Sequence, residues 1–213
     1  MTMVLLLRHG EIPQSDPRRF VGQRDLPLTP LGRDQALRWR KVLARAPLDG
    51  VWTSDLARCR EMTEHALGDH HPVAKPLPAL REISLGEWEG LSVAEVQRRF
   101  PGEYERRGAD LERIAPAGGE SFADLRDRVW PALTGILANA GAQAAPLLVV
   151  SHAGVIRTLI CQALGMPLAR VFSLGQQYAA LNILRFSPAR QPELLALNLP
   201  PEAATPLLAS LSG

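Results

Sequence analysis

One unit occurs twice in this chain. "VLLLRHGE", starting at Val4, and "PLLVVSHAG", starting at Pro146, each run four apolar residues straight into a polar turn. A strand with one wet face alternates apolar and polar residues, so an uninterrupted apolar run calls for cover on both faces, the situation of a parallel strand. Helical patterns lie between and after the two runs, and that alternation predicts an α/β fold: a mostly parallel central sheet with helices on both faces. At 213 residues the chain suits one domain, 1–213, with a sizeable core.

The intervening segments fill in the pattern. In "LTPLGRDQALRWRKVLARAP", Thr29 caps, Pro30 takes the first helical position, and Ala36, Trp39, Leu43 and Ala46 recur at helical spacing. "DGVWTSD" reads as a strand leading into a helix over about 56–67, and "HPVAKPLPAL" as a proline-flanked edge strand. Residues 86–119 form an excursion over the sheet, a lid, with a capping box at Ser92 and Glu95 and an irregular charged stretch after it. A longer helix capped by Ser121 contains Pro131, which predicts a kink or break. "ALNILRF" and "ELLALNL" supply two last strands, and 200–213 reads as a loose tail.

Composition excludes several classes. The net charge of +2 is too small for a nucleic-acid partner. The two cysteines, Cys59 and Cys161, show no disulfide or metal-finger spacing, which fits a reducing compartment. The first apolar run is too short for a signal-peptide core or a membrane span, so the expected location is the cytoplasm, with no membrane partner. Basic residues comprise 22 arginines and only Lys41 and Lys75, so an arginine near a motif carries weight by its spacing alone.

In open parallel sheets, the loops leaving the carboxyl ends of strands form the ligand crevice. His9 and His152 both stand at such points, each followed by a glycine within two residues, and a third strand end offers Ser54, Arg58 and Arg60. A single histidine there reads as an ordinary satisfied polar residue, but two at matching positions point to chemistry. No further ligands accompany them at zinc-binding spacing, so no metal is expected. His65, His70 and His71 read as a solvated loop at a helix end.

The segments "LLLRHGE", "LTPLGRDQA", "TSDLARCREMT", "LREISLGEWEG", "GGESFADLRDRV" and "LLVVSHAGVIRTL", in this order, resemble the histidine phosphatase superfamily, also called phosphoglycerate mutase-like. The resemblance implies that family's α/β fold and a covalent phosphohistidine on His9, with Arg8, Arg58 and His152 as the phosphate pocket. Its chemistry is consistent: a neutral imidazole attacks phosphorus unaided, while guanidinium forks and a cationic imidazole at His152 would donate to the phosphoryl oxygens. Gly10 would clear space for the phosphate. Where many relatives carry Thr and Asn after the "RHG" triplet, this chain has Ile12 and Ser15; Ser15 and the backbone of Ala153 complete the implied phosphate contacts. Arg60 reads as background.

Glu82 matches the family's proton donor, a task that calls for a raised pKa. Physical reasoning alone does not separate Glu82 from Glu87 and Glu89. The implied activity is metal-independent and cofactor-free hydrolysis of a small phosphorylated metabolite. Alternatives are a cofactor-dependent phosphoglycerate mutase, whose long insertion and C-terminal segment this chain lacks, and a non-catalytic phosphate-binding module. "LGEWEG", "GGES" and "SHAGVIRTLICQALGMP" resemble the α-ribazole phosphatase branch, for which Trp88 and Tyr104 in the lid would be candidate stacking surfaces for a flat base.

Overall fold

In the computed structural model, which describes residues 1–44, 46–68, 72–140 and 145–209, the two apolar runs lie side by side. Strand β1 (Thr2–Arg8) pairs in parallel with β4 (Leu147–Ser151), Val4 opposite Leu147 and Arg8 opposite Ser151. Strand β4 pairs in parallel on its other side with β2 (Gly50–Thr53), and β2 with the two-residue edge strand β3 (Lys75–Pro76). Beyond β1, strands β5 (Leu181–Ser187) and β6 (Arg190–Leu199) run antiparallel. The order is β3-β2-β4-β1-β5-β6, so the strands with the longest apolar runs are central.

Both faces are covered, as the unbroken apolar runs demand. Val4, Leu6, Leu147 and Val149 pack with α5 (Phe122–Ala138) and α6 (Ala153–Leu164). Leu5, Leu7, Leu148 and Val150 pack on the other side with α1 (Pro30–Leu43) and α2 (Ala57–Leu67). Thr29 caps α1 by accepting from the Gly32 N–H at 3.0 Å; Ala36, Trp39 and Leu43 are buried along one stripe. Ala46 is buried too, but just past the helix end.

Three expectations need correction. The tail is not loose as far as Ala209: Pro201–Ala209 is helix α7, whose Ala204 and Leu208, one turn apart, join the core that α1 covers. Residues 210–213 lie outside the described residues, as do His70 and His71. The charged stretch after α3 (Val93–Arg99) is partly ordered as α4 (Glu103–Ala109). Of the kink or break that Pro131 predicts, the break does not occur: α5 runs through it, with Pro131 on the exposed side and Val129, Leu133 and Ile136 on the buried one. Among the described residues no helix is long and apolar enough to cross a membrane.

Gly10 has a different reason from the expected one. A Cβ built there would fall 2.5 Å from the Gly32 carbonyl oxygen, and one on Gly32 would fall 2.2 Å from that of Glu11. The two glycines let the first turn of α1 press against the loop leaving β1, and that contact holds the loop at the sheet's carboxyl end.

Candidate active site

The ends of β1, β4 and β2 converge on two imidazoles. The His9 N–H donates to the Ser151 carbonyl at 3.0 Å, and its own carbonyl accepts from Ala179 at 3.0 Å, so its backbone is held by β4 on one side and by the turn before β5 on the other. Nδ1 of the ring lies 2.7 Å from the Gly10 carbonyl oxygen. A carbonyl only accepts, so Nδ1 carries the proton and Nε2 keeps a lone pair. Burial, with Arg8 and Arg58 beside it, holds the His9 pKa well below 6.5 and keeps the ring neutral near pH 7.

His152 occupies the position before the first turn of α6, and its ring centroid stands 5.1 Å from that of His9. Arg58 Nε donates to its Nδ1 at 3.1 Å. A guanidinium has no acceptor, so Nδ1 is unprotonated and Nε2–H donates to Ser54 Oγ at 2.8 Å. The expectation of a cationic His152 is therefore corrected: burial first, then Arg58, His9 and Arg8, depress its pKa and leave it neutral. Arg58, which can only donate, fixes this tautomer, and the fully buried Ser54 takes up the Nε2–H.

Arg58, in the first turn of α2, is 1% exposed and also donates to the carbonyls of Arg24 at 2.7 Å and Gly22 at 2.8 Å. It thereby ties the loop after β1 to the imidazole pair. Arg8 donates from Nη1 to the Gln176 carbonyl at 2.6 Å and lies 4.0 Å from the Tyr178 ring centroid. A reciprocal amide pair, Gln176 with buried Asn182, steadies that support. Arg8 Nε is buried without a protein partner, a donor aligned with no acceptor of the chain. Arg60 is exposed on a separate groove beside Thr63 and Leu67.

The three carboxyls, equivalent in sequence, are separated by the fold. Glu82 accepts from the N–H of Gly154, in the first turn of α6, at 3.2 Å through Oε2, and from Ile83 at 3.0 Å through Oε1. Its charge acts on both Arg8 and Arg157. Gly154 makes room for it, since a Cβ there would lie 2.3 Å from Oε1. Arg128 holds the backbone of this segment by donating to the Ala79, Arg81 and Glu82 carbonyls, and is itself paired with Glu120. Glu89 Oε1 accepts from Gln23 and Leu85 and so joins two loops, whereas Glu87 is exposed.

A cleft of about 520 Å³ opens alongside, lined by Arg8, Tyr178 and residues of the loop from Ile12 to Leu26. Ser15 is on its wall, but its hydroxyl donates to the Pro17 carbonyl within its own turn. Ala153 begins α6 as expected. The excursion 86–119 contributes nothing to this lining. Trp88 is 1% exposed and packed on Phe20 and Tyr104, so it offers no face to a ligand. Among the described residues no cluster of three or more His, Cys, Asp or Glu could hold a metal ion.

Sequence reasoning passed over Tyr178, Gln176, Asn182 and the anchoring role of Glu89. None of these carries a short motif; each acts through contacts across the sheet.

Comparison with known proteins gives a consistent result. The profile of the histidine phosphatase superfamily (branch 1) matches residues 4–200. The glucosyl-3-phosphoglycerate phosphatase of Mycolicibacterium vanbaalenii is 36% identical over 77% of this chain and 75% of its own. The adenosylcobalamin/α-ribazole phosphatase of Salmonella typhimurium is 31% identical over 88% of this chain and 98% of its own. A mycobacterial glucosyl-3-phosphoglycerate phosphatase solved with inorganic phosphate superposes with a TM-score of 0.81 at 30% identity, covering 94% of this chain and 98% of that one.

Proposed function

Since the chain belongs to the histidine phosphatase superfamily (branch 1), we propose that it hydrolyses small phosphomonoesters through a phosphohistidine on His9. The observation that carries this reading is the pairing of a neutral His9, its Nε2 lone pair uncommitted, with an arginine beside it whose Nε–H is buried and unpartnered.

In the first step Nε2 attacks phosphorus, the bond to the leaving oxygen breaks, and that oxygen takes a proton from Glu82. The ring gains positive charge as it is phosphorylated. The Gly10 carbonyl, already bonded to Nδ1–H, stabilises that charge. Arg8 and Arg58 donate to the phosphoryl oxygens, and His152, neutral and oriented by Ser54 and Arg58, completes the pocket. In the second step Glu82 takes a proton from water, the water oxygen bonds to phosphorus, and the P–N bond returns its electron pair to His9.

The relatives reported above are named as phosphatases, which favours hydrolysis over mutase chemistry. Their named substrates support a small phosphorylated metabolite as this chain's partner; that it acts in the cytoplasm, with neither a nucleic-acid nor a membrane partner, is part of the proposal. The test is p-nitrophenyl phosphate turnover in EDTA, with an alkaline quench to trap the phosphoenzyme. Wild type should turn over and His9→Ala should do neither; phosphate trapped on the His9→Ala protein would overturn the assignment.

A further inference from the structure

The cleft beside the imidazole pair carries more positive charge than one phosphoryl group requires. Arg8, Arg18, Arg19 and Arg24 all line it, and its lining contains no aspartate or glutamate. Arg19 is already neutralised by Glu95 at 2.6 Å. Arg18 and Arg24 are not: among the described residues no carboxylate lies within 4.0 Å of either guanidinium.

Both are fixed relative to the site. Arg18 Nε donates to Gln14 Oε1 at 2.8 Å, Gln14 Nε2 donates to the Tyr178 hydroxyl at 2.8 Å, and the Tyr178 ring lies over Arg8 and 5.7 Å from the His9 ring centroid. That chain of contacts leaves the terminal nitrogens of Arg18 uncommitted. The Arg24 carbonyl accepts from Arg58, which puts the backbone of Arg24 against the phosphate pocket while its side chain lines the cleft. Asp16 and Asp25, the acidic residues of the same loop, do not line the cleft; Asp25 accepts from the Ala57 N–H at the start of α2.

We infer that Arg18 and Arg24 bind a second anionic group of the substrate, a carboxylate or another phosphate, on the part that leads away from the scissile phosphate. This inference rests on the phosphatase reading above. Planar guanidinium groups suit either anion, and in a concave site their field is less screened than on an open surface. A substrate with one phosphate and an otherwise neutral body leaves both arginines without a partner.

The test compares esters that differ by one anion. 3-Phosphoglycerate against glycerol 3-phosphate reports a carboxylate; fructose 1,6-bisphosphate against fructose 6-phosphate reports a phosphate. In low salt, kcat/KM should favour the doubly anionic member of at least one pair by tenfold or more. The Arg18→Gln/Arg24→Gln protein should lose most of that ratio, and 0.5 M salt should reduce it in wild type. Both side chains are exposed, so the substitution leaves the core intact. Turnover with no preference in either pair, or a preference that survives the double substitution, overturns this inference alone. Failure to hydrolyse any of the four esters or p-nitrophenyl phosphate overturns the phosphatase reading and this inference with it.

Discussion

Gly154→Ala tests the position of Glu82 without touching its carboxyl. The added Cβ would stand 2.3 Å from Oε1 and 3.2 Å from Cδ, about 1 Å inside the separation of ordinary contact. The helix backbone is the stiffer partner, so the carboxyl moves, and it moves away from the start of α6 where His152 stands. Alanine is the better helix former by up to about 1 kcal/mol, which offsets the loss of the Gly154 N–H contact to Glu82, so the melt should shift little. A displacement of about 1 Å in a reacting group costs on the order of a hundredfold, or about 2.7 kcal/mol of barrier. That cost should fall where the leaving oxygen needs a proton. kcat/KM for glycerol 3-phosphate should therefore drop by roughly a hundredfold, and for p-nitrophenyl phosphate by less than about tenfold, because nitrophenolate departs without help. Steady-state assays with a thermal melt on each protein decide it. An equal drop for both esters, with an unchanged melt, would refute the idea that Glu82 delivers the proton from this position.

Arg58→Ala should lower kcat/KM by about a hundredfold or more on both esters. It should also raise the His152 pKa, which ring-proton NMR would detect, since the Nδ1 contact and a nearby cation are both lost. Glu89→Ala leaves the N–H groups of Gln23 and Leu85 without their acceptor, so urea unfolding should show a loss of about 1–3 kcal/mol, and activity should fall without regard to leaving group. For pH dependence, His9 and His152 are both depressed below 6.5 in the folded state, so below that pH the unfolded chain binds more protons. Their stability contribution is complete above about pH 6.5 and is lost as pH falls toward the folded values, each histidine adding a slope of up to about 1.4 kcal/mol per pH unit. Urea melts at pH 7 and 5 should show a smaller dependence for His9→Ala than for wild type; identical dependences would contradict the depressed pKa.

What could be read from the sequence followed from chemistry confined to a few neighbouring residues. Val4–Leu7 and Leu147–Val150 advertised burial on both faces, and His9 and His152 stood where such strands end. Thr29, Ser92 and Ser121 marked helix starts because capping is local. Glu82 could not be told from Glu87 and Glu89, since what separates them is the start of α6, dozens of residues away. The protonation of His152 was misread for a similar reason: Arg58 and Ser54 arrive from another strand end. Gly10 was assigned to a ligand when its neighbour is Gly32, and α7 was missed because Ala204 and Leu208 make a stripe too narrow to register without the surface it covers.

The place of β4 between β1 and β2 governs when this protein can first act. His9 follows β1, Arg58 follows β2, and each meets His152 only after a strand from the last third of the chain has inserted between them. No hairpin holds the proposed pocket, and a nascent chain that stops before Leu147 has His9, Arg58 and Glu82 but not the central strand that brings them together. Such long-range parallel pairing forms slowly. Recovery of activity on refolding is therefore a clock for that central insertion, while fraying at the outer strands β3 and β6 would leave the clock unchanged.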